Sequence, residues 1–203
     1  VSTTDKWSKN AEKMLEEQRF PVQRMGLQTF RDSNIDWSTY SLDDPGEQQV
    51  GYKPHKELRP HQDIAITWTL KGLQKDDRGQ LIMACGTGKT FTAIRLAEKF
   101  AEQNGGHARV LFMVPSLALM SQSISEFSNE IEGPFHAYAV CSDSKVGREK
   151  KRGGANADLA DLRVEDLQLP ATTDGAELAA AMNANPLDEG LEVVFSTYHS
   201  IDA

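Results

Sequence analysis

Cysteine is scarce. The 203 residues contain two, too few for a disulfide framework, and Cys85 stands inside a glycine-rich loop where a bridge would obstruct the backbone. A reducing compartment, the cytoplasm, is therefore expected. Long apolar runs are also missing: stretches such as 110–115 and 193–195 fall far short of the roughly 18–20 residues that cross a bilayer. The opening residues, VSTTDKWSKN, have no apolar core behind their lysine and do not read as a secretory signal. No internal repeat is visible. A basic excess is lacking too, since 22 Lys and Arg stand against 30 Asp and Glu, a formal net charge of -8. Proteins that bind nucleic acid by bulk charge are basic. Any nucleic-acid contact here must come from local motifs.

What is present fits a globular protein. Hydrophobic residues make up 39% and charged residues 26%, enough for one generous domain or a domain with an appendage. Residues 6–19 are polar and helix-prone, with Trp7, Ala11, Met14 and Leu15 on one helical face, and Pro21 lies at or beyond the end. Residues 31–57 mix Asp, Ser, Asn, Pro and Gly without a period, and read as a connector anchored on the next domain by Trp37 and Tyr40.

From Leu58 the grammar changes. Pro60 opens a helix over 61–74, the apolar run 80–84 reads as a buried strand, and 85–90 is a glycine-rich loop. A helix over 90–103 stops at Asn104, Gly105 and Gly106. A strand over 109–114 precedes a helix opened by Pro115 and Ser116 and running to Glu130. A strand over 136–140, a charged loop over 143–156 and an ambiguous amphipathic stretch over 158–169 follow. Thr173 or Asp174 caps a helix to Met182, and 191–197 is a last buried strand. Strands alternating with helices predict an α/β domain over 58–203, a parallel sheet with helices on both faces, preceded by a helical or irregular connector over 1–57.

The strongest chemical signal is QLIMACGTGKTFTAIRLAEKF. Gly86 and Gly88 lack side chains, so backbone N–H groups can approach phosphate oxygens. The helix that follows aims its uncapped N–H groups at the same anion. Lys89 can reach the β- and γ-phosphates as a point charge, Thr87 lies within the cradle, and Thr90 offers a hydroxyl to Mg²⁺. A plain glycine turn with a solvated lysine explains a lone GxG, but not a GKT triplet between an apolar run and an amphipathic helix.

The generic phosphate-loop pattern has glycine where this chain has Met83. MACGTGKT instead resembles motif I of superfamily 2 helicases and translocases, above all the motor subunits of Type I restriction enzymes. Leu58-Arg59-Pro60-His61-Gln62 resembles the glutamine motif of that superfamily, which implies that Gln62 reads the adenine edge of ATP. The ordinary alternative is an exposed helical glutamine. The segment after Val114, PSLALMSQ, resembles motif Ia and implies a DNA-backbone contact at Ser116, with Leu117 and Leu119 packing in the core. VVFSTYHS resembles motif Ib and implies contacts from Ser196 and Thr197. Packing is the expected role of Tyr198, and His199 receives none. The charged run 148–152 is better explained as a solvated loop than as a phosphate contact.

The resemblance covers part of a first RecA-like domain. The acidic DExH motif, whose carboxylates hold Mg²⁺ and position water, has no copy here, and Asp188-Glu189 precede a strand instead of ending one. The segments EEQRFPVQRMGL, NIDWS and ELRPHQ bring the likeness to single-polypeptide Type I restriction-modification enzymes, in which a nuclease precedes the motor and a methyltransferase follows. Residues 1–57 would then join nuclease to motor. The resemblance implies the ATP-binding lobe of a helicase or translocase on double-stranded DNA, with Lys89 catalytic. ATP, Mg²⁺, DNA and the rest of a larger polypeptide would be its partners. Residues 1–203 alone are expected to bind nucleotide weakly and not to turn it over. Two other readings stay open: a small P-loop phosphotransferase, and a nucleotide-sensing binding module without nucleic acid.

Overall fold

The structure, a computed structural model, describes residues 7–16, 25–41, 43, 51–141, 167 and 169–200. Its frame is a four-stranded sheet of β1 (His107–Val114), β2 (Phe135–Val140), β3 (Ala171–Thr172) and β4 (Gly190–Thr197). The strand order is β1-β4-β2-β3, and every pairing is parallel. Parallel neighbours need crossover connections, and the helices supply them. The described helices are α1 (Lys9–Glu16), α2 (Leu27–Asp32), α3 (Pro60–Leu73), α4 (Lys89–Gln103), α5 (Leu117–Glu130) and α6 (Gly175–Ala184). None of them is long and apolar enough to cross a membrane.

Strand periodicity decides what the sheet buries. Alternate residues of β1 and β4 point to one face, where Ala108, Val114, Leu191, Val193 and Phe195 join Ile94 and Ala101 of α4 and Met120, Ile124 and Phe127 of α5 in one core. Phe127 meets Phe112 and Phe195 edge-on, with ring centroids 5.1 Å away in each case. Burial of each such ring is worth about 1.5–3 kcal/mol. The other face of β1 presents Leu111 and Met113, both exposed. The α/β class with a parallel sheet is as expected.

The strand over 80–84 is a correction. These residues are not assigned to a strand, and Ile82 is 83% exposed and Leu81 43%. A strand exists only where a neighbour satisfies its N–H and C=O groups, and no described strand flanks this run. Leu119 is also exposed, at 44%, while Leu117 packs against the core. The expected loop over 143–156 and most of the stretch over 158–169 lie outside the described residues, as do 17–24.

The segment expected as a connector holds α2, a 3-10 turn at Trp37–Thr39 and an isolated antiparallel bridge between Ile35 and Tyr52. Trp37 and Tyr40, expected as anchors on the next domain, contact each other, and Trp37 also contacts Phe30. The Trp37 ring meets Phe30 and Tyr40 edge-on, and its Nε1 donates to the Phe30 carbonyl, so these aromatics cluster within that segment. The Asn129 side chain at the end of α5 donates to the Asp32 carbonyl instead, at 2.8 Å.

Candidate nucleotide-binding site

The loop over 85–88 gets its shape from two glycines. Gly86 has φ +75° and Gly88 φ +80°, both in the left-handed region that side chains disfavour. Gly88 is the N-cap of α4, and no side chain caps that helix. Its first-turn N–H groups, with the positive end of the helix dipole, are left for an external acceptor. Behind them, Thr92 Oγ1 and the Thr92 N–H both donate to the Gly88 carbonyl at 2.9 Å. Across the loop mouth, Thr87 Oγ1 donates to the Ala84 carbonyl at 2.7 Å and Lys89 Nζ to the same oxygen at 3.2 Å. Lys89 is exposed and Thr90, next in the helix, is half-buried. Uncapped amides, an exposed ammonium and an adjacent hydroxyl are the donor set that a Mg²⁺-bound triphosphate requires.

Gln62 is buried at 4% exposure. Its Oε1 accepts the Arg59 N–H at 2.9 Å and its Nε2 donates to the Thr87 carbonyl at 3.0 Å. The amide therefore ties the start of α3 to the phosphate loop, and each bond uses one of the two hydrogen-bonding positions on its atom. A Cβ on Gly88 would lie 2.6 Å from Gln62 Nε2. Gly88→Ala is expected to cost about 1–3 kcal/mol through the strained φ and to push Gln62 off Thr87. Gly72→Ala, within α3 with no atom inside 4 Å of the new Cβ, should instead gain roughly 0.5–1 kcal/mol. Denaturant unfolding of the pair checks both signs.

The carboxyl edge of the sheet brings motif Ia and motif Ib together, because Val114 pairs with Thr197 across β1 and β4. Ser116 caps α5, its Oγ accepting the Leu119 N–H at 3.3 Å. Ser196 and Thr197 do not share its accessibility. They are 1% and 7% exposed, and the Thr197 and Ser200 hydroxyls lie 2.7 Å apart in a hydrogen bond. These hydroxyls build the turn at the strand end. Tyr198, expected to pack, is the exposed residue there, at 52%.

Buried charge makes up a part of the molecule that the motifs do not mark. Arg95 of α4 stacks on Phe91 with its guanidinium carbon 5.1 Å from the ring centroid, and pairs with Glu98 at 2.7 Å and Glu132 at 2.6 Å. Lys56 pairs with Glu130 at 2.8 Å, and its backbone N–H donates to the same carboxylate at 3.0 Å. Burial pushes the Glu130 carboxyl up, but the Lys56 ammonium and N–H outweigh it and hold the group below the usual carboxylate range. On the sheet, Glu192 is fully buried and paired with Arg109 of the neighbouring strand. Burial and the Glu192 charge raise the Tyr138 hydroxyl above its ordinary range. A cavity of about 580 Å³ lies at the amino edge of the sheet, between the 55–58 segment, α4 and the turns before β2 and β4. That is the edge away from the phosphate loop.

A parallel sheet flanked by helices, with a glycine-cornered loop feeding one of them, is the fold of a RecA-like helicase domain. The chain belongs to the family described as Type III restriction enzyme, res subunit, whose model matches residues 55–203. A second model, described as a restriction endonuclease, matches residues 1–47. The chain is similar to the ATP-dependent Type ISP restriction-modification enzyme LlaBIII bound to DNA, with a TM-score of 0.80 and 32% identity over 98% of this chain and 12% of that one. A nuclease-deletion mutant of the Type ISP enzyme LlaGI, in complex with a DNA substrate mimic, matches at 0.56 and 33% over 72% of this chain and 13% of that one. A protein of Acanthamoeba polyphaga mimivirus described as an ATP-dependent RNA helicase is 38% identical over 72 residues, 36% of this chain and 13% of its own length. This chain thus spans about an eighth of the proteins it matches.

Proposed function

We propose that residues 58–203 are the first RecA-like lobe of an ATP-driven motor on double-stranded DNA, within a cytoplasmic restriction-modification enzyme, and that residues 1–57 connect it to a nuclease. The observation that carries this reading is the uncapped start of α4 behind two left-handed glycines. The DNA-bound solved relative adds support.

The loop amides from Gly86 to Lys89 bind the triphosphate oxygens, and Lys89 reaches the terminal phosphates. Thr90 gives its hydroxyl to Mg²⁺, which neutralises charge on the β- and γ-oxygens when bound. Gln62 holds Thr87 and, through it, the loop, at the point where the adenine is expected. Ser116 donates to a DNA phosphate oxygen without reading sequence. Ser196 and Thr197, expected to touch DNA directly, shape the neighbouring turn from within, and Tyr198 offers the exposed surface there.

The test is steady-state ATP hydrolysis by the full-length protein with and without duplex DNA. Duplex DNA should stimulate it, and Ser116→Ala should raise the DNA concentration for half-stimulation by about tenfold, the worth of one hydrogen bond to a charged oxygen. Stimulation by RNA but not by duplex DNA would assign the motor to the other nucleic acid. Hydrolysis indifferent to both would end the motor reading.

A further inference from the structure

The two family matches meet between residues 47 and 55, and the residues just after that seam form a joint that neither match explains. Lys56 lies where three elements converge. Its ammonium is 2.8 Å from Glu130 and 3.8 Å from Glu126, both on the last turns of α5, and 5.8 Å from the centroid of Phe91 on the first turn of α4. Phe91 directly follows Thr90, and the Phe91 ring is also the platform for Arg95. Glu130 is 6% exposed, so Lys56 is the partner that keeps a buried carboxylate compensated. The Lys56 N–H adds a second bond to that carboxylate, which fixes the Lys56 backbone as well as its side chain.

The endonuclease-matched segment is bound to the same joint. Asp32 takes the Asn129 bond one residue before Glu130. Lys53 Nζ donates to the Arg31 carbonyl at 3.1 Å and to the Ser33 carbonyl at 2.8 Å. Backbone bonds from Asp36 to Gly51 and from Lys53 to Asn34, both 2.7 Å, close the connection between 31–36 and 51–53. Asp32 therefore meets the last turn of α5, the helix that Ser116 caps at its other end, and Lys56, three residues after Lys53, lies over Phe91 in the first turn of α4, which begins at Lys89.

We propose that the Lys56–Glu130 joint, seated on Phe91, is the element that couples the nuclease-side segment to the nucleotide and DNA ends of the motor domain. The inference rests on the motor reading above. Lys56 and Glu130 are positioning residues that touch neither nucleotide nor DNA. A packed joint carries force only while its contacts hold. Loss of the ion pair should leave ATP hydrolysis intact and disconnect DNA cleavage from it.

The experiment measures duplex-stimulated ATP hydrolysis and DNA cleavage side by side on the full-length protein, for wild type, Glu130→Gln, Lys56→Met and the double variant. Lys56 has a half-exposed side chain, so its variant keeps the test usable should Glu130→Gln impair folding. Hydrolysis should stay within about twofold of wild type while cleavage falls by about tenfold or more, the scale of one charged hydrogen bond. The double variant should be no worse than the worse single, because both remove one contact. Equal falls in hydrolysis and cleavage, or unchanged cleavage in both single variants, would overturn the joint. A wild-type protein stimulated by DNA that does not cleave it would overturn the joint alone. Absent stimulation would overturn the motor reading and the joint with it.

Discussion

Lys89→Ala in the full-length protein should lower ATP hydrolysis by about 10²–10³, the loss seen when one preorganised charged donor leaves an active site, without a matching loss of stability. The two halves of that expectation have separate grounds. Lys89 is exposed, and its ammonium donates to the Ala84 carbonyl at 3.2 Å across the open loop. A solvent-exposed hydrogen bond of this kind is worth about 1 kcal/mol or less to folding. In the proposed nucleotide complex the same ammonium faces phosphate oxygens, and two unit charges 4 Å apart interact by about 4 kcal/mol at an effective dielectric of 20. Arginine should not restore the rate. Its planar fork is wider than an ammonium and does not act as a point charge beneath a glycine loop. The measurement is a pair: initial hydrolysis rates under saturating DNA, and the unfolding midpoint of each variant. Equal rates for wild type and Lys89→Ala would remove the nucleotide site from the loop. Equal losses of rate and stability would make Lys89 a structural residue.

The parts of this architecture that the sequence announces are those in which a local pattern has a local cause. Gly86 and Gly88 are glycines because the chain turns through positive φ there, and Asp174 precedes α6 because its carboxylate accepts the Ala176 N–H. β1, β2 and β4 alternate or run apolar because each contributes a face to the Phe127 core. The run 80–84 shows where that inference fails. Its apolar character says that the segment suits burial in a sheet, but a strand is a relation between two segments, and no described partner lies beside it. Ser196 and Thr197 fail in a related way. Their residue types suit phosphate contact, and only the structure reveals that the Thr197 hydroxyl bonds Ser200 and the Ser196 hydroxyl donates to the Thr197 carbonyl. The ion pairs of the buried carboxylates are legible only in part. Glu192 is a lone acid in LEVVFST and Arg109 a lone base in RVLFMV, and charges stranded in apolar strands imply a mutual partner. The Lys56–Glu130 pair spans 74 positions, and no spacing rule reaches across that distance.

Gly190→Ala should be among the most damaging single substitutions in the domain, at about 3–5 kcal/mol, a range reached by few mechanisms. Gly190 has φ +101°, and an added Cβ would press on the Pro134 carbonyl, 2.8 Å from its carbon. That carbonyl cannot yield cheaply. It accepts the Leu191 N–H at 3.0 Å, while Gly190 itself donates to the Gly106 carbonyl at 2.7 Å, so the residue is held between the entries to β1 and β2. Movement that relieves the clash therefore breaks the first contacts of β4, the strand that carries Val193 and Phe195 into the core. Gly105 separates the two causes. It has φ +92° but nothing within 4 Å of a built Cβ, so Gly105→Ala registers the backbone strain alone, about 1–3 kcal/mol. Denaturant unfolding should place Gly190→Ala beyond Gly105→Ala by about 2 kcal/mol or more, the share due to displaced backbone. Equal losses would mean that the Pro134 turn moves freely, and that the amino edge of the sheet is not pinned at β4.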